Sequence, residues 1–267
     1  MKGMVICGAV GRMGRALIQV VQADPDAVLA GALEYVGHPL EGQDIGAIVG
    51  LGPVGVALRT SLDRLEERGD VLIDFSMPAP TLEHLAWARQ HHRAIVIGTT
   101  GFSSDQLDSI RSAALEIPIV MSGNFSIGVN IALDLVERAS LAFGPGCDVE
   151  IMEAHHRHKV DAPSGTALML GEAVMQGREG ALSDVAQYGR HGHTGVRPLG
   201  QIGMHSLRGG DVVGDHQVWF MAEGERLEIR HVAASRMNFA QGAIRAALWV
   251  VGRTPGLYSM RQVLGLI

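Results

Sequence analysis

The segment Glu153–Leu168 carries the side chains in this chain that are best suited to chemistry. Within it, residues 155–159 contain three histidines, an arginine and a lysine. The sequence Pro163-Ser-Gly-Thr166, typical of a turn that leads into a helix, follows a few residues later. So many titratable and anion-binding groups in a short span predict a site for a small, negatively charged molecule that must receive a proton.

The individual groups suit separate parts of that task. Histidine titrates close to neutral pH and is therefore a good proton donor there. Lys159 can pair with a carboxylate as a point charge. The backbone N–H groups at the start of the predicted helix, near Gly165 and Thr166, can bind a carboxylate as well, and the hydroxyls of Ser164 and Thr166 add donors.

A metal site is the competing interpretation of this segment. His155 and His158 are three residues apart, and Glu153 or Asp161 could complete a ligand set. Other histidine and cysteine pairs in the sequence lack ligand spacing, so we expect no metal.

Three further residues of the segment have open roles. Arg157 and His158 suit surface positions. Asp161 suits a turn or a helix cap, or it orients Lys159.

A glycine-rich turn near the N-terminus indicates a second binding site, for a dinucleotide. The spacing GxxGxxG over Gly8–Gly14 lies between a predicted strand, Met4–Cys7, and a predicted helix, Arg12–Ala23. Glycine permits the tight turn and lets the backbone approach a pyrophosphate, which the helix N-terminus can bind. Glu34 ends the next predicted strand, where an acid can bind the ribose hydroxyls of a dinucleotide. Arg12 could add a contact to the phosphates.

The residue after Glu34 bears on the choice of cofactor. A 2′-phosphate needs a cation there, whereas Tyr35 offers none and Glu34 repels the phosphate. The sequence therefore favours NADH. NADPH stays open if Arg12 or another cation contacts the phosphate.

Two later loops are candidates for contacts with a nicotinamide. Gly98-Thr99-Thr100-Gly101 follows the predicted strand Ala94–Ile97, and Ser122-Gly123-Asn124-Phe125-Ser126 follows Ile117–Met121. Ligands bind beyond the carboxyl ends of strands in parallel sheets, so backbone groups there could hold a carboxamide. Each loop taken alone is equally well explained as an ordinary turn.

The elements that position these groups fall into two kinds. In the first third, apolar strands alternate with helices, which predicts an α/β fold with a doubly wound, Rossmann-type parallel sheet. Its other predicted elements are the strands Val28–Leu33 and Val71–Phe75 and the helices Pro80–His91 and Asp105–Leu115. The tail, Asn238–Val251, is an apolar helix that resembles this part of the chain.

The middle of the chain predicts a second, α+β domain. Its predicted elements are the strands Val149–Ala154, Gln201–Leu207, Asp211–Ala222 and Glu225–His231 and the helix Thr166–Met175. The last three strands alternate polar and apolar residues and are joined by Gly-Gly and Gly-Glu turns, as in an open antiparallel or mixed sheet. We predict a dinucleotide-binding domain of residues 1–126 and 237–267, and a second domain of residues 127–236.

The composition indicates a folded protein without a nucleic-acid or membrane partner. The net charge is −6, and no basic face extends beyond residues 155–159. No apolar run approaches the ~20 residues of a membrane span, and the N-terminus does not have the form of a signal peptide. Cys7 and Cys147 form no CxxC pair, and Cys7 is expected to be a small buried hydrophobe. We therefore expect a cytoplasmic protein without disulfides.

Several motifs together resemble one known family. They are EAHHRHKVDAPSGTAL, the opening GAVGRMGR, the loops IGTTGF and NFSIGVN, and the tail SRMNFAQGAIRAALW, which span Gly8 to Trp249. In these motifs the chain is similar to the 4-hydroxy-tetrahydrodipicolinate reductases, also called dihydrodipicolinate reductases, of bacterial diaminopimelate and lysine biosynthesis. The resemblance implies reduction of a cyclic imine dicarboxylate by NADH or NADPH. It also implies a homotetramer, assembled through the open sheet of the substrate-binding domain.

The resemblance further implies roles for single residues. His155 matches the catalytic acid of the family, Lys159 a second proton donor and His156 a substrate contact. Gly165 and Thr166 match the loop that holds a carboxylate. The positions that match dinucleotide contacts are Gly8, Ala9, Val10, Gly11, Arg12, Met13, Glu34, Gly98, Thr99, Thr100, Ser122, Gly123, Asn124 and Phe125.

Tyr35 departs from the family pattern, in which many members have arginine, and this departure puts NADPH use in doubt. Two alternative functions stay open. Another two-domain dehydrogenase, such as one acting on aspartate semialdehyde, would need a nucleophilic cysteine, which neither Cys7 nor Cys147 evidently supplies. A non-catalytic NAD-sensing protein would keep the glycine turn but would not need His155 with Lys159.

Overall fold

The computed structural model describes residues 1–64 and 69–267, and the chain divides into two compact units. Unit 1 comprises Met1–Ile127 and Arg236–Ile267, and unit 2 comprises Gly128–Ser235. The strands within the described ranges are β1 Lys2–Cys7, β2 Ala27–Leu33, β3 Leu58–Arg59, β4 Val71–Asp74, β5 Ala94–Ile97, β6 Pro118–Met121, β7 Asp148–His155, β8 Ala186–Tyr188, β9 Ile202–Arg208, β10 Gly214–Ala222, β11 Glu225–Ala233 and β12 Gly256–Tyr258. The α-helices there are α1 Arg12–Ala23, α2 Ile45–Val49, α3 Pro78–Gln90, α4 Ser104–Ala113, α5 Ile127–Phe143, α6 Gly165–Gln176, α7 Leu182–Val185, α8 Met237–Val250 and α9 Met260–Val263.

Unit 1 is built on a parallel sheet with the strand order β12-β6-β5-β4-β1-β2-β3. Every pair of neighbouring strands in it is parallel. From β1 the chain winds outward first in one direction and then, from β4, in the other. The predicted doubly wound sheet is thus confirmed, and the gap between β1 and β4 is the point at which such sheets bind ligands.

Alternate residues of β1 pack against two helical layers. Met4 and Ile6 belong to the core that α1 and α8 cover, whereas Val5 and Cys7 belong to the core under α3 and α4. All four are buried because a parallel sheet is covered on both faces. Burial of a large apolar side chain in such a layer stabilises the fold by roughly 1.5–3 kcal/mol.

Unit 2 contains a mixed sheet with the strand order β11-β10-β7-β9-β8. The central strand, β7, is antiparallel to β10 and parallel to β9. Helices α5 and α6 cover one face, where Val149 and Ile151 of β7 are buried against Val174. The prediction of a second sheet of mixed type is confirmed.

Two details of unit 2 differ from the sequence prediction. The strand expected from Asp211 begins at Gly214, because the preceding residues cross the end of β7. There the N–H of Gly209 donates to the carbonyl of His155 (2.9 Å), and the N–H of His156 donates to the carbonyl of Val212 (2.8 Å). β9 and β10 lie on either side of β7, so the Gly-Gly turn between them is not a hairpin.

The sequence prediction also assigned no helix to Ile127–Phe143, which forms α5. In the part of the chain that the structure describes, no helix has both the length and the apolar character needed to cross a bilayer.

Candidate active site

Strand β7 begins in the core of unit 2 and ends with an acidic residue, Glu153, and a histidine, His155. Side chains alternate along a strand, so Glu153 and His155 lie on the same face as the core residues Val149 and Ile151. Glu153 is 2% exposed and His155 is 9% exposed. Buried polar groups at these two positions require partners, which are each other, Arg208 of β9 and the residue that caps α6.

The carboxylate of Glu153 has hydrogen-bond partners on both oxygens. Its Oε2 lies 2.6 Å from Nδ1 of His155, and Arg208 donates to Oε2 and Oε1, each at 2.7 Å. The backbone N–H of Ser164 donates to Oε1 at 3.2 Å. Burial opposes ionisation of Glu153, but hydrogen bonds from Arg208, His155 and Ser206 outweigh it and lower the pKa of Glu153 to about 2. Glu153 is therefore an anion at neutral pH.

This pairing determines which nitrogen of His155 is available. With a carboxylate on Nδ1, that nitrogen carries a hydrogen, and Nε2 faces other groups. Nε2 makes no hydrogen bond with any residue in the described ranges. A Cβ at position 214 would lie 3.1 Å from Nε2, so Gly214 keeps the space beside it open.

Lys159 lies in the loop that follows β7. Its Nζ donates to Oδ1 of Asp161 at 2.8 Å, and this bond lowers the pKa of Asp161. Arg208 also donates to the carbonyl of Asp161 (2.7 Å), which ties the loop to β9. Of the two roles left open for Asp161, the contact matches the orienting of Lys159. Among the described residues Lys159 has no hydrogen bond to His155.

Helix α6 begins at the predicted turn. Ser164 is its N-cap, with Oγ accepting from the N–H of Ala167 at 3.2 Å and lying 3.0 Å from Nε2 of His216. Gly165 is exposed, and a Cβ there would meet no atom within 4 Å. The first N–H groups of a helix have no intrahelical acceptor, so with Thr166 this end offers donors to an anion.

The remaining histidines of the motif are placed differently. His156 is half-buried and His158 exposed, with their rings 6.2 Å apart. Arg157 is exposed. Within the described ranges, His155 and His158 do not belong to a group of three or more ligand-type side chains close enough together to hold a metal ion, which disfavours the competing metal interpretation.

In unit 1, the glycine turn has the geometry that a dinucleotide requires. Gly8 has φ +70°, and a Cβ on Gly14 would lie 2.2 Å from the carbonyl oxygen of Gly8, so both positions need glycine. Oε1 of Glu34 accepts from the N–H of Val10 at 2.8 Å, which fastens the turn to the end of β2. Arg15, absent from the sequence prediction, donates to the carbonyl of Val10 at 2.9 Å. Arg12 is exposed.

A cleft of about 660 Å³ opens beside this turn within unit 1. Glu34 and Tyr35 border it on one side, and α3 borders it through His84 and Trp87. Tyr35 is 64% exposed and carries no charge. The turn and the cleft fit the pyrophosphate and adenosine parts of a dinucleotide.

The two later loops follow neighbouring strands, β5 and β6, as predicted. A Cβ on Gly98 would lie 2.1 Å from the ring of Phe75, and Thr99 is buried with its hydroxyl 2.9 Å from that of Thr81. Thr100 and Gly123 are exposed. Ser122 and Asn124 bond within their own loop, and the ring of Phe125 is buried. The side chains thus contribute to the shape of these two loops.

A buried trio near the glycine turn was not visible in the sequence. Cys7, Asp74 and His84 bring ligand-type atoms within 4.8 Å of one another. Asp74 already accepts from the N–H and hydroxyl of Ser76, at 2.8 and 2.6 Å, and lies 2.5 Å from Nδ1 of His84. These bonds account for the closeness of Asp74 and His84, and the buried thiol of Cys7 lies beside them.

Neither cysteine has the environment of a nucleophile. Cys7 and Cys147 are both buried, and burial raises the pKa of each thiol. This disfavours a dehydrogenase that forms a thioester.

Three residues of the unit 2 site were missed in the sequence: Arg208, Gly214 and His216. They lie on β9 and β10, more than forty positions from His155, and come to it only through sheet pairing. The role of Glu153 could have been inferred, because residues two apart on a predicted strand share a face.

The glycine turn after β1 and the carboxylate-bound histidine near the open N-terminus of α6 are features of one class of protein, the nicotinamide-dependent oxidoreductases. Family models described as dihydrodipicolinate reductase, N-terminus and C-terminus, match residues 2–125 and 128–264. The chain belongs to the dihydrodipicolinate reductase family. It is an NAD(P)H-dependent enzyme that reduces 4-hydroxy-tetrahydrodipicolinate to tetrahydrodipicolinate, with loss of water, in diaminopimelate and lysine biosynthesis.

The chain is also similar to solved structures. A dihydrodipicolinate reductase from Paenisporosarcina sp. TG-14, solved with dipicolinate bound, is 26% identical over 97% of each chain, with a TM-score of 0.77. GenD2 from gentamicin A biosynthesis, solved with NAD, is 14% identical and matches 86% of this chain and 72% of its own, with a TM-score of 0.55. A probable dehydrogenase from Thermotoga maritima is 10% identical over 98% and 92%, with a TM-score of 0.62. The last two share the fold alone.

Proposed function

We propose that unit 2 binds the dicarboxylate substrate and that His155 donates the proton that the reaction consumes. The observation that carries this proposal is the 2.6 Å contact between Nδ1 of His155 and the ionised Glu153. The contact fixes the ring and directs Nε2 toward the space beside Gly214. A bound nicotinamide would supply the hydride. His155 neutralises the negative charge that develops on the substrate ring.

The two carboxylates of the substrate would be held by two kinds of donor. Lys159 supplies a positive charge, fixed by Asp161. The N-terminus of α6 supplies the N–H groups of Gly165 and Thr166, and hydroxyls come from Thr166 and Ser164. The relative from Paenisporosarcina was solved with dipicolinate, a planar ring that carries two carboxylates, which supports a site of this charge and size. His156 would be a further substrate contact, and Lys159 a second proton donor.

We assign the dinucleotide to unit 1 and expect NADH to be the preferred cofactor. Backbone groups of the glycine turn and of the loops after β5 and β6 would hold the phosphates and the nicotinamide. The free oxygen of Glu34 would accept from a ribose hydroxyl, and its charge would repel a 2′-phosphate. The uncharged Tyr35 does not offset that repulsion.

We further propose a homotetramer located in the cytoplasm, without a metal. The sheet face of unit 2 opposite α5 and α6 carries Leu207 and Val232, which are 56% and 54% exposed, and Trp219 under Arg226. Exposed apolar side chains on this sheet face favour association with another subunit. Light scattering at micromolar concentration measures the assembly directly. Two buried free cysteines suit a reducing compartment.

Oxidation of NADH with the imine made in situ from pyruvate and aspartate semialdehyde tests the proposal. His155→Gln should lower kcat by roughly 10²–10⁴, the contribution of a general acid, and leave the affinity for dipicolinate nearly unchanged. Lys159→Ala should lower kcat and raise KM together. His158→Gln, in the exposed part of the motif, is the matched control. Near-wild-type kcat in His155→Gln would remove His155 from the role of proton donor.

A further inference from the structure

The hydroxyl of Ser164 lies in a closed set of contacts beneath the open position of Gly165. Ser164 is 2% exposed, and its Oγ accepts from the N–H of Ala167 at 3.2 Å. Nε2 of His216, on β10, lies 3.0 Å from the same oxygen. A serine hydroxyl has one hydrogen to donate and two lone pairs to accept with. The state of His216 therefore decides where that hydrogen points.

His216 is neutral at pH 7. It is 6% exposed, and its ring packs edge-on against the ring of His155, with centroids 5.1 Å apart. Burial, and then the nearby charge of His155, lower the pKa of His216 to about 4, although Glu153 and Asp215 act in the opposite direction. A neutral imidazole carries its hydrogen on one nitrogen only.

Nδ1 of His216 has no hydrogen-bond partner in the described ranges and is buried. If the ring hydrogen were on Nδ1, the protein would hold an orphaned buried N–H, which is rarer and costlier than an unused acceptor. The serine hydrogen would then point at Nε2. If the hydrogen is on Nε2, His216 donates to Ser164 and the serine hydrogen is released.

An anion bound at the N-terminus of α6 would favour the arrangement in which His216 carries its hydrogen on Nε2. A carboxylate accepts a hydroxyl hydrogen more strongly than a neutral imidazole does, because the bond is charge-assisted. With Ala167 and His216 both donating to Oγ, the single hydrogen of Ser164 is left for that carboxylate. Ser164 is the N-cap of α6 and directly precedes the open position of Gly165, so we assign its hydrogen to a carboxylate bound at this helix end.

We propose that His216 is a positioning residue that makes the Ser164 hydroxyl a dedicated donor to a substrate carboxylate. His216 acts through Ser164 and does not touch the substrate. The inference rests on the proposed substrate site in unit 2. It predicts an energetic coupling between two residues, His216 and Ser164, that are far apart in the sequence.

A double-mutant cycle with dipicolinate as the probe tests this coupling. The affinity of the full-length enzyme for dipicolinate is measured by titration calorimetry for wild type, His216→Leu, Ser164→Ala and the double variant. His216→Leu should weaken binding about tenfold, as for the loss of a hydrogen bond to a charged group. In the Ser164→Ala background, His216→Leu should have no further effect. KM should rise in step with the loss of affinity, and kcat should change by less than about threefold.

Two further variants separate positioning from simple structural damage. His216→Gln keeps a side-chain N–H and should recover most of the affinity, whereas His216→Phe keeps the ring shape and should not. Thermal melts identify any variant that fails to fold, and His158→Gln is the control for an unrelated loss of imidazole.

The outcomes distinguish this inference from the proposed function. The role of His216 would be overturned if His216→Leu lowered the dipicolinate affinity equally in the wild-type and Ser164→Ala backgrounds. It would also be overturned if His216→Leu bound dipicolinate as tightly as wild type or more tightly. Either result would leave the substrate site intact. A wild-type enzyme that binds no dipicolinate would overturn the substrate site itself.

Discussion

Nδ1 of His155 lies 2.6 Å from a carboxylate oxygen of Glu153, the residue two positions earlier on β7. A strand places side chains two apart on one face, so this pair is set by local geometry. Arg208 then holds the carboxylate from the next strand through two bonds of 2.7 Å. The histidine is thus oriented by a group that is itself fixed, and only Nε2 is left for chemistry.

Glu153→Gln should lower kcat by roughly 10²-fold or more while NADH affinity stays within twofold. An amide can donate as well as accept, so the ring of His155 is no longer held in one tautomer, which costs a general acid much of its effect. Steady-state kinetics with the imine substrate and fluorescence titration with NADH measure the two quantities.

Glu150→Gln is the matched control for that variant. Glu150 lies on the opposite face of β7 and is also clamped by arginine, with Arg190 at 2.8 Å from each oxygen. It should lose stability and keep kcat. A similar fall of kcat in both variants would mean that Glu153 acts through the stability of β7 and not through His155.

Gly165→Ala should impair substrate binding without harming the fold. A Cβ at this position meets no atom of the protein within 4 Å, so it occupies the space in which a carboxylate would approach the start of α6. We expect the melting temperature to change by less than about 2 °C and KM to rise about tenfold or more, as for one lost charge-assisted bond.

Gly146→Ala provides the comparison, because a Cβ there also lies in open space, in the loop that precedes β7. It should leave both KM and the melting temperature unchanged. Gly165→Ala with wild-type KM would show that no ligand comes close to this backbone.

Tyr35→Arg should shift cofactor use toward NADPH. The wild-type enzyme is expected to have the higher kcat/KM with NADH, since the carboxylate of Glu34 borders the cleft and the next residue, Tyr35, carries no positive charge. An exposed arginine at position 35 can pair with a 2′-phosphate, and we expect kcat/KM for NADPH to rise about tenfold. Tyr35→Gln, which adds no charge, is the control. A wild-type preference for NADPH would show that a cation elsewhere binds the phosphate.

The sequence predicted the regular parts of the fold well because their causes are local. α1 runs from Arg12 to Ala23 as expected, since a glycine turn precedes it and its apolar residues recur with helical spacing. β5 at Ala94–Ile97 is a short apolar run of β-branched type and was also predicted. The parallel sheet follows from the alternation of such elements.

The prediction was wrong or incomplete where tertiary contacts determine the structure. The strand expected from Asp211 starts later, because Val212 instead accepts a hydrogen bond from His156 across the end of β7. Helix α5 was missed although Ser126, a residue type typical of a helix N-cap, precedes its largely apolar sequence. Arg208 and His216 could not be predicted as partners of the site, because only the pairing of β7 with β9 and β10 brings them there.

The buried ionisable groups of unit 2 should make the enzyme unstable in acid in two separate steps. His216 has a pKa of about 4 when folded, below its ordinary 6.5, because it is buried. The unfolded chain therefore binds more protons as the pH falls from 6.5 to 4, and stability decreases over that range. Glu150 and Glu153 have pKa values of about 2, because hydrogen bonds from arginine and histidine outweigh burial, against an ordinary 4.5. Their contribution is complete above pH 4.5 and is lost as the pH falls toward 2.

Urea denaturation at pH 7, 5.5, 4 and 3 should separate these two steps. In His216→Gln the free energy of unfolding should change less between pH 6.5 and 4, although His231, whose pKa burial also lowers, keeps part of the slope. In Glu150→Gln the free energy of unfolding should change between pH 6.5 and 4 as it does in wild type. Below pH 4.5 it should depend less on pH than in wild type. Glu150→Gln should also be less stable at pH 7 by about 3 kcal/mol, because two arginines, Arg190 and Arg197, lose their shared carboxylate. If Glu150→Gln kept the full acid dependence below pH 4.5, the arginine cluster would not be what holds the carboxylate ionised.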